Sequence, residues 1–125
     1  MKKLLLKIVL SLLLSTNTYA ENIKFTKIID LDKPWGSSFI SDNEMIVTEK
    51  SGKIKIINIK NNNVTKVEHN LNFLETGQGG LLDIVYKDNY LWISYAENRG
   101  NSETSTSIAR GKFNKEKIDF KNIFQ

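Results

Sequence analysis

Asp42-Asn43-Glu44-Met45-Ile46-Val47-Thr48 and Asp88-Asn89-Tyr90-Leu91-Trp92-Ile93-Ser94 read as one piece of chain written twice. Each begins on an Asp-Asn pair and continues into β-branched, aromatic and other apolar side chains, the pattern of a strand entered from a tight turn. The offset is 46 residues, and on it Phe39-Ile40 also falls on Val85-Tyr86. Further along the offset becomes 54, with Ile54 on Ile108 and Val64 on Ile118, so the second copy holds an eight-residue insertion around 98–105. No segment past Ala20 sustains a helical period. Strands are predicted over 34–40, 44–50, 53–59 and 63–69, then again over 80–86, 90–96, 105–113 and 117–124.

The expected fold is therefore all-β, in two four-stranded antiparallel units. Units of four strands with a period in the forties are the signature of propeller blades. Leu81-Leu82-Asp83-Ile84-Val85-Tyr86 and Leu91-Trp92-Ile93-Ser94-Tyr95-Ala96 are nearly apolar throughout, as inner strands covered on both faces should be. Lys117-Ile118-Asp119-Phe120-Lys121-Asn122-Ile123-Phe124 alternates, which predicts one outer strand with a wet face. Two blades cannot close a ring, so the expectation is an incomplete propeller belonging to a longer protein. A free-standing small β protein that binds a partner through its open faces is the competing reading.

Ahead of the repeat, Met1-Lys2-Lys3 leads into an apolar stretch over 4–14 and then Ser15-Thr16-Asn17-Thr18-Tyr19-Ala20. That is the form of a secretory signal peptide over 1–20, with cleavage after Ala20. Its apolar core is far shorter than the roughly 20 residues that span a bilayer, which predicts removal and no stable membrane anchor. The expectation is an exported protein, periplasmic or secreted, whose folded part is 21–125. Lys2, Lys3 and Lys7 supply most of the formal net charge of +4. The remainder is close to neutral and has no basic stripe interleaved with aromatics, so no nucleic-acid partner is indicated. There is no cysteine, which excludes a thiol nucleophile, a redox disulfide and a cysteine-type zinc site.

The most informative short segment is Gly77-Gln78-Gly79-Gly80-Leu81-Leu82-Asp83, which leads from the last strand of one unit to the first of the next. Its glycines permit positive φ and close backbone approach, and they leave Gln78 uncrowded. Taken by itself the segment reads more readily as an ordinary tight turn than as a ligand loop. It is no phosphate-binding fingerprint, since neither nucleotide spacing is present and no helix follows.

That segment stands in order after Leu31-Asp32-Lys33-Pro34-Trp35-Gly36 and Ser41-Asp42-Asn43-Glu44-Met45-Ile46-Val47-Thr48-Glu49-Lys50-Ser51-Gly52-Lys53-Ile54, and before Trp92-Ile93-Ser94-Tyr95-Ala96-Glu97. Together these resemble the start of the soluble quinoprotein glucose and aldose sugar dehydrogenases, over nearly all of 28–124. The resemblance implies a six-bladed propeller with pyrroloquinoline quinone (PQQ) and calcium over its channel. It implies a sugar substrate that passes a hydride from its anomeric carbon to the quinone, a histidine as proton acceptor, and a further electron acceptor whose identity it does not give.

The residue that the resemblance places beside quinone and sugar is Gln78. A carboxamide both donates to and accepts from hydroxyls. Asp83 leans the match toward the aldose-type branch and is expected to be a buried structural hydrogen-bond acceptor. The chain's one histidine, His69, does not match the family's base, whose segment would follow shortly after Gln125. A solvated surface role on an outer strand is expected for it instead. The metal ligands and the remaining cofactor clamps likewise belong to later blades, so no catalytic or metal-binding residue is assigned in this chain. A non-catalytic exported propeller that binds a ligand or protein is the alternative function, because fold alone decides none.

Overall fold

The structure, a computed structural model, describes residues 23–125. The expected signal peptide over 1–20 and its expected cleavage point lie outside the described residues. Nine strands form in the order β1 (Pro34–Ser41), β2 (Glu44–Glu49), β3 (Lys53–Asn58), β4 (Val64–His69), β5 (Leu81–Lys87), β6 (Tyr90–Gly100), β7 (Glu103–Lys112), β8 (Lys117–Ile118) and β9 (Lys121–Phe124). No helix occurs among the described residues. One sheet has the order β1-β2-β3-β4-β8 and the other β5-β6-β7-β9. All pairings are antiparallel except the short parallel contact of β4 with β8.

The repeat is present in the hydrogen-bond register. Glu49 pairs with Lys53 and Thr48 with Ile54 in the first sheet. Tyr95 pairs with Ser107 and Ser94 with Ile108 in the second, as the offsets of 46 and 54 require. The expected insertion is an extension of the β6–β7 hairpin, whose extra pairs run from Ala96↔Thr106 to Gly100↔Glu103. Its tip, Asn101-Ser102, has both residues at positive φ, 52° and 63°, the geometry that lets a two-residue turn follow the twist of its strands.

Two details depart from the expectation. The Asp-Asn turns occupy the same place, but only Asp88 and Asn89 adopt positive φ, at 51° and 63°. In the first unit an irregularity between Phe39 and Ser41 takes up the difference. Phe39 therefore pairs with Met45, as Tyr86 pairs with Leu91, so Phe39 corresponds to Tyr86 and not to Val85. An extra residue in one strand shifts its partner set by one, which no pattern of side chains displays.

The second departure is the expected single strand over 117–124, which is broken. Lys117-Ile118 pairs with Glu68-His69 of the other sheet, and only Lys121–Phe124 joins β7. Between them the Asn70 carboxamide stands in for a strand, with Nδ2 donating to the Phe120 carbonyl (3.1 Å) and Oδ1 accepting the Phe120 N–H (2.7 Å). Ile118 and Phe120, two residues apart, are both buried in the core across the break.

That core lies between the sheets. Ile46, Ile54, Ile56 and Val67 of the first meet Leu81, Ile84, Leu91, Ile93 and Tyr95 of the second in one buried cluster. Each fully buried aliphatic side chain contributes about 1.5–3 kcal/mol. At the inner edge β1 packs beside β5, so closely that a Cβ on Gly36 would lie 2.6 Å from the Asp83 Cα. Thr48, fully buried, links the sheets there: its Oγ1 accepts the Gly36 N–H (3.0 Å) and donates to the Leu82 carbonyl (2.5 Å).

Candidate functional site

The connection from β4 to β5 is held along the extended end of β6. Asn98 N–H donates to the Asn72 carbonyl (3.0 Å), Leu74 N–H to the Ala96 carbonyl (3.0 Å) and Ala96 N–H to the Gly80 carbonyl (2.8 Å), and Phe73 bridges Glu97. Residues 75–79 have no place in that ladder and leave it as a loop. Thr76-Gly77-Gln78-Gly79 closes on itself through a 2.6 Å bond from the Gly79 N–H to the Thr76 carbonyl. Gly77 has φ of 50° with open space around it, and Gln78 is exposed. The structure therefore presents the Gln78 side chain outward from a tight turn whose ends are fixed.

The glycines that follow are required by close approach. A Cβ on Gly79 would meet the Ala96 Cβ at 2.9 Å, and one on Gly80, whose φ is 140°, would meet the Lys50 carbonyl oxygen at 2.2 Å. Lys50 sits at the tip of the β2–β3 hairpin. Its N–H donates to the Lys33 carbonyl (3.0 Å), its carbonyl accepts the Leu81 N–H (3.3 Å), and its Nζ donates to the Gly77 carbonyl. Lys33, at φ of 50°, reaches Glu75 from the other side, 3.1 Å between Nζ and Oε1.

Two polar clusters support this end of the sheets. The Glu49 carboxylate is fully buried; Oε1 accepts from the Asp32 N–H (2.8 Å) and from Lys55 Nζ (2.6 Å), and Lys53 Nζ lies 3.7 Å from Oε2. Burial works to raise its pKa. The Lys55 and Asp32 hydrogen bonds and the two lysine charges outweigh that and hold it below the usual glutamate value. In the second unit Glu97 Oε2 accepts from Ser107 Oγ (2.6 Å) and pairs with Arg99 (3.0 Å), while Oε1 accepts from Asn122 Nδ2 (3.0 Å). Tyr95 donates its hydroxyl to Asn122 Oδ1 (2.7 Å). Burial, only partly opposed by that hydrogen bond, lifts the phenol above its usual pKa.

The other two residues singled out in the sequence stand elsewhere. Asp83 is exposed, which corrects the expectation of burial: it is the third residue of the inner edge strand β5, whose neighbour on one side alone is β6. It does accept a hydrogen bond, from the Ile84 N–H (2.9 Å). His69 is half-buried rather than solvated. Its Nε2 lies 2.8 Å from the Gly52 carbonyl, Nδ1 accepts the Leu71 N–H (3.2 Å), and its ring packs against Phe73. With Nδ1 an acceptor, Nε2 is the donor; Nε2 holds the β2–β3 turn to the connection, and Nδ1 braces the start of the connection itself. Glu49 and Lys50 were not singled out in the sequence. Their one signal is a charged pair closing an otherwise apolar strand, Met45-Ile46-Val47-Thr48-Glu49-Lys50.

Comparison with known proteins gives a consistent result. The family model described as Glucose / Sorbosone dehydrogenase matches residues 31–125. The soluble aldose sugar dehydrogenase of Escherichia coli, solved in its apo-form, superimposes with a TM-score of 0.68 at 27% identity, over 75% of this chain and 30% of that one. The PQQ-bound aldose sugar dehydrogenase of Streptomyces coelicolor gives 0.66 at 18% identity, over 76% and 30%, a likeness of fold. An uncharacterised protein of Synechocystis sp. is 26% identical over 117 residues, 82% of this chain and 28% of its own. The chain thus spans under a third of the length of these relatives. The fold they share with it is the propeller, of which the described residues form two blades.

Proposed function

The chain belongs to the glucose/sorbosone dehydrogenase family, and from that premise we propose that it forms the first two blades of an exported, PQQ-dependent aldose dehydrogenase. The observation that carries the reading is the Gln78 turn: an exposed carboxamide on a glycine-framed loop at the end of the inner strands, tied at its ends to both sheets. Gln78 would hydrogen-bond the sugar hydroxyls and the quinone edge, fixing the anomeric C–H toward its acceptor. When bound, PQQ supplies the two-electron acceptor for the hydride, and the cofactor rather than the protein carries the redox chemistry.

The proton of the anomeric hydroxyl requires a base other than His69, whose nitrogens are both engaged. An uncrowded amide beside open space at Gly77 suits a planar, polar cofactor edge. No group of three or more His, Cys, Asp or Glu side chains that could hold a metal occurs among the described residues, and in this reading calcium is held by later blades.

The test uses the polypeptide as its gene encodes it, reconstituted with PQQ and calcium, with aldose-dependent dye reduction as the readout. Activity that depends on PQQ supports the reading; a folded protein that neither binds PQQ nor reduces dye refutes it in favour of a binding propeller. Gln78→Ala is expected to lower kcat/KM for the sugar severalfold or more, and unchanged steady-state kinetics would remove Gln78 from the site. Export is tested by N-terminal sequencing of the mature protein, which should begin at Glu21.

A further inference from the structure

We infer that Lys50 is a positioning residue for Gln78, its side chain holding the turn that presents the carboxamide to substrate; the inference rests on the sugar-oxidising reading above. Lys50 meets the loop at both root and tip. Its backbone fixes the root, through the Leu81 N–H and the contact that only a glycine at position 80 permits. Its ammonium reaches the tip and takes the carbonyl of Gly77. That carbonyl belongs to the peptide plane that leads into Gln78, so the bond orients the residue directly.

Packing does not provide this restraint. Nothing lies within 4 Å of where a Gly77 Cβ would be, and glycine leaves the backbone there freer than any other residue would. The Lys33–Glu75 pair restrains only the entrance of the loop. Beside the Gly79–Thr76 bond that closes the turn, a charge-assisted bond therefore restrains the Gly77 carbonyl, which packing leaves free. The remainder of Lys50 is anchored by the Lys33 carbonyl, so the stem from which the ammonium reaches is itself set. Replacing the side chain leaves the backbone contacts in place and isolates the tip contact.

The experiment is amide hydrogen exchange in the unmodified protein, Lys50→Met and Lys50→Arg, with sugar kinetics on the same three proteins. The Gly79 amide, which closes the turn on Thr76, is expected to exchange about tenfold faster in Lys50→Met, the size of a lost charge-assisted bond. Core amides such as those of Ile46 and Ile93 keep their rates, and Lys50→Arg restores protection because a guanidinium can also donate to the carbonyl. kcat/KM for the sugar is expected to fall severalfold in Lys50→Met and to return in Lys50→Arg.

An unchanged Gly79 rate, a uniform acceleration across both sheets, or a Lys50→Met protein that does not fold overturns the inference, since each shows that the side chain does something other than hold this turn. Faster exchange with unchanged sugar kinetics also overturns it. If no variant and no unmodified protein oxidises sugar, the functional reading fails, while the exchange rates still decide whether Lys50 holds the turn.

Discussion

Glu49 illustrates how much a single residue can be asked to do at a strand end. A fully buried carboxylate survives there because Lys55 and the Asp32 N–H meet it within 2.8 Å, and breaking such a pair from one side costs about 3–5 kcal/mol. Lys55→Met is therefore expected to destabilise by about 3 kcal/mol in urea titrations, because it strands the charge. The pH dependence has a definite sign. A carboxyl whose folded pKa is lowered contributes stability that is complete above its unfolded value and is lost as pH falls through the folded one. The stability difference between the unmodified protein and Glu49→Gln should thus be steady at neutral pH and shrink in acid, below the usual glutamate range. A difference that stayed constant into strong acid would show that folding leaves the carboxyl's proton affinity unchanged. Among single residues, the exposed turn that carries Gln78 was legible through its glycines, while the bonds from Asp32 to Glu49 and from Lys50 to Gly77 were not, since they join residues 17 and 27 positions apart.

At the scale of elements, the two units differ chiefly in their turns. The Asn101-Ser102 tip holds a serine at φ of 63°, a conformation that costs an L-residue roughly 1–2 kcal/mol and glycine almost nothing. Ser102→Gly should raise stability by about 1 kcal/mol and the melting temperature with it, leaving the β6–β7 register unchanged. Gly80→Ala is the opposite case. It would place a methyl on the Lys50 carbonyl at a φ of 140°, with an expected loss of more than about 1 kcal/mol and visible displacement of the Leu81 amide resonance. The repeat in the sequence located the first seven strands correctly in order. It did not show the division of the last into β8 and β9, because alternation of side chains is preserved even where the backbone leaves one sheet for another.

For the whole molecule, the junction between the sheets is the decisive feature, and Thr48 is its most exacting member. Thr48→Val keeps the shape but removes the partner of both the Gly36 N–H and the Leu82 carbonyl. An expected cost of about 1–3 kcal/mol would be read as a lower urea midpoint with an unchanged slope; a neutral substitution would mean that water reaches both groups. By itself the sequence determined the all-β class, the two four-stranded units and the glycine turn that presents Gln78, because each rests on local chemistry: turn residues, side-chain alternation and a repeat detectable at fixed offset. Only the tertiary structure decided the one-residue shift of β1, the exposure of Asp83, the engagement of both His69 nitrogens and the reach of Lys50 to the Gln78 turn. Those depend on which strand edges and faces meet in space, and residues far apart in the chain leave no periodic mark of having met.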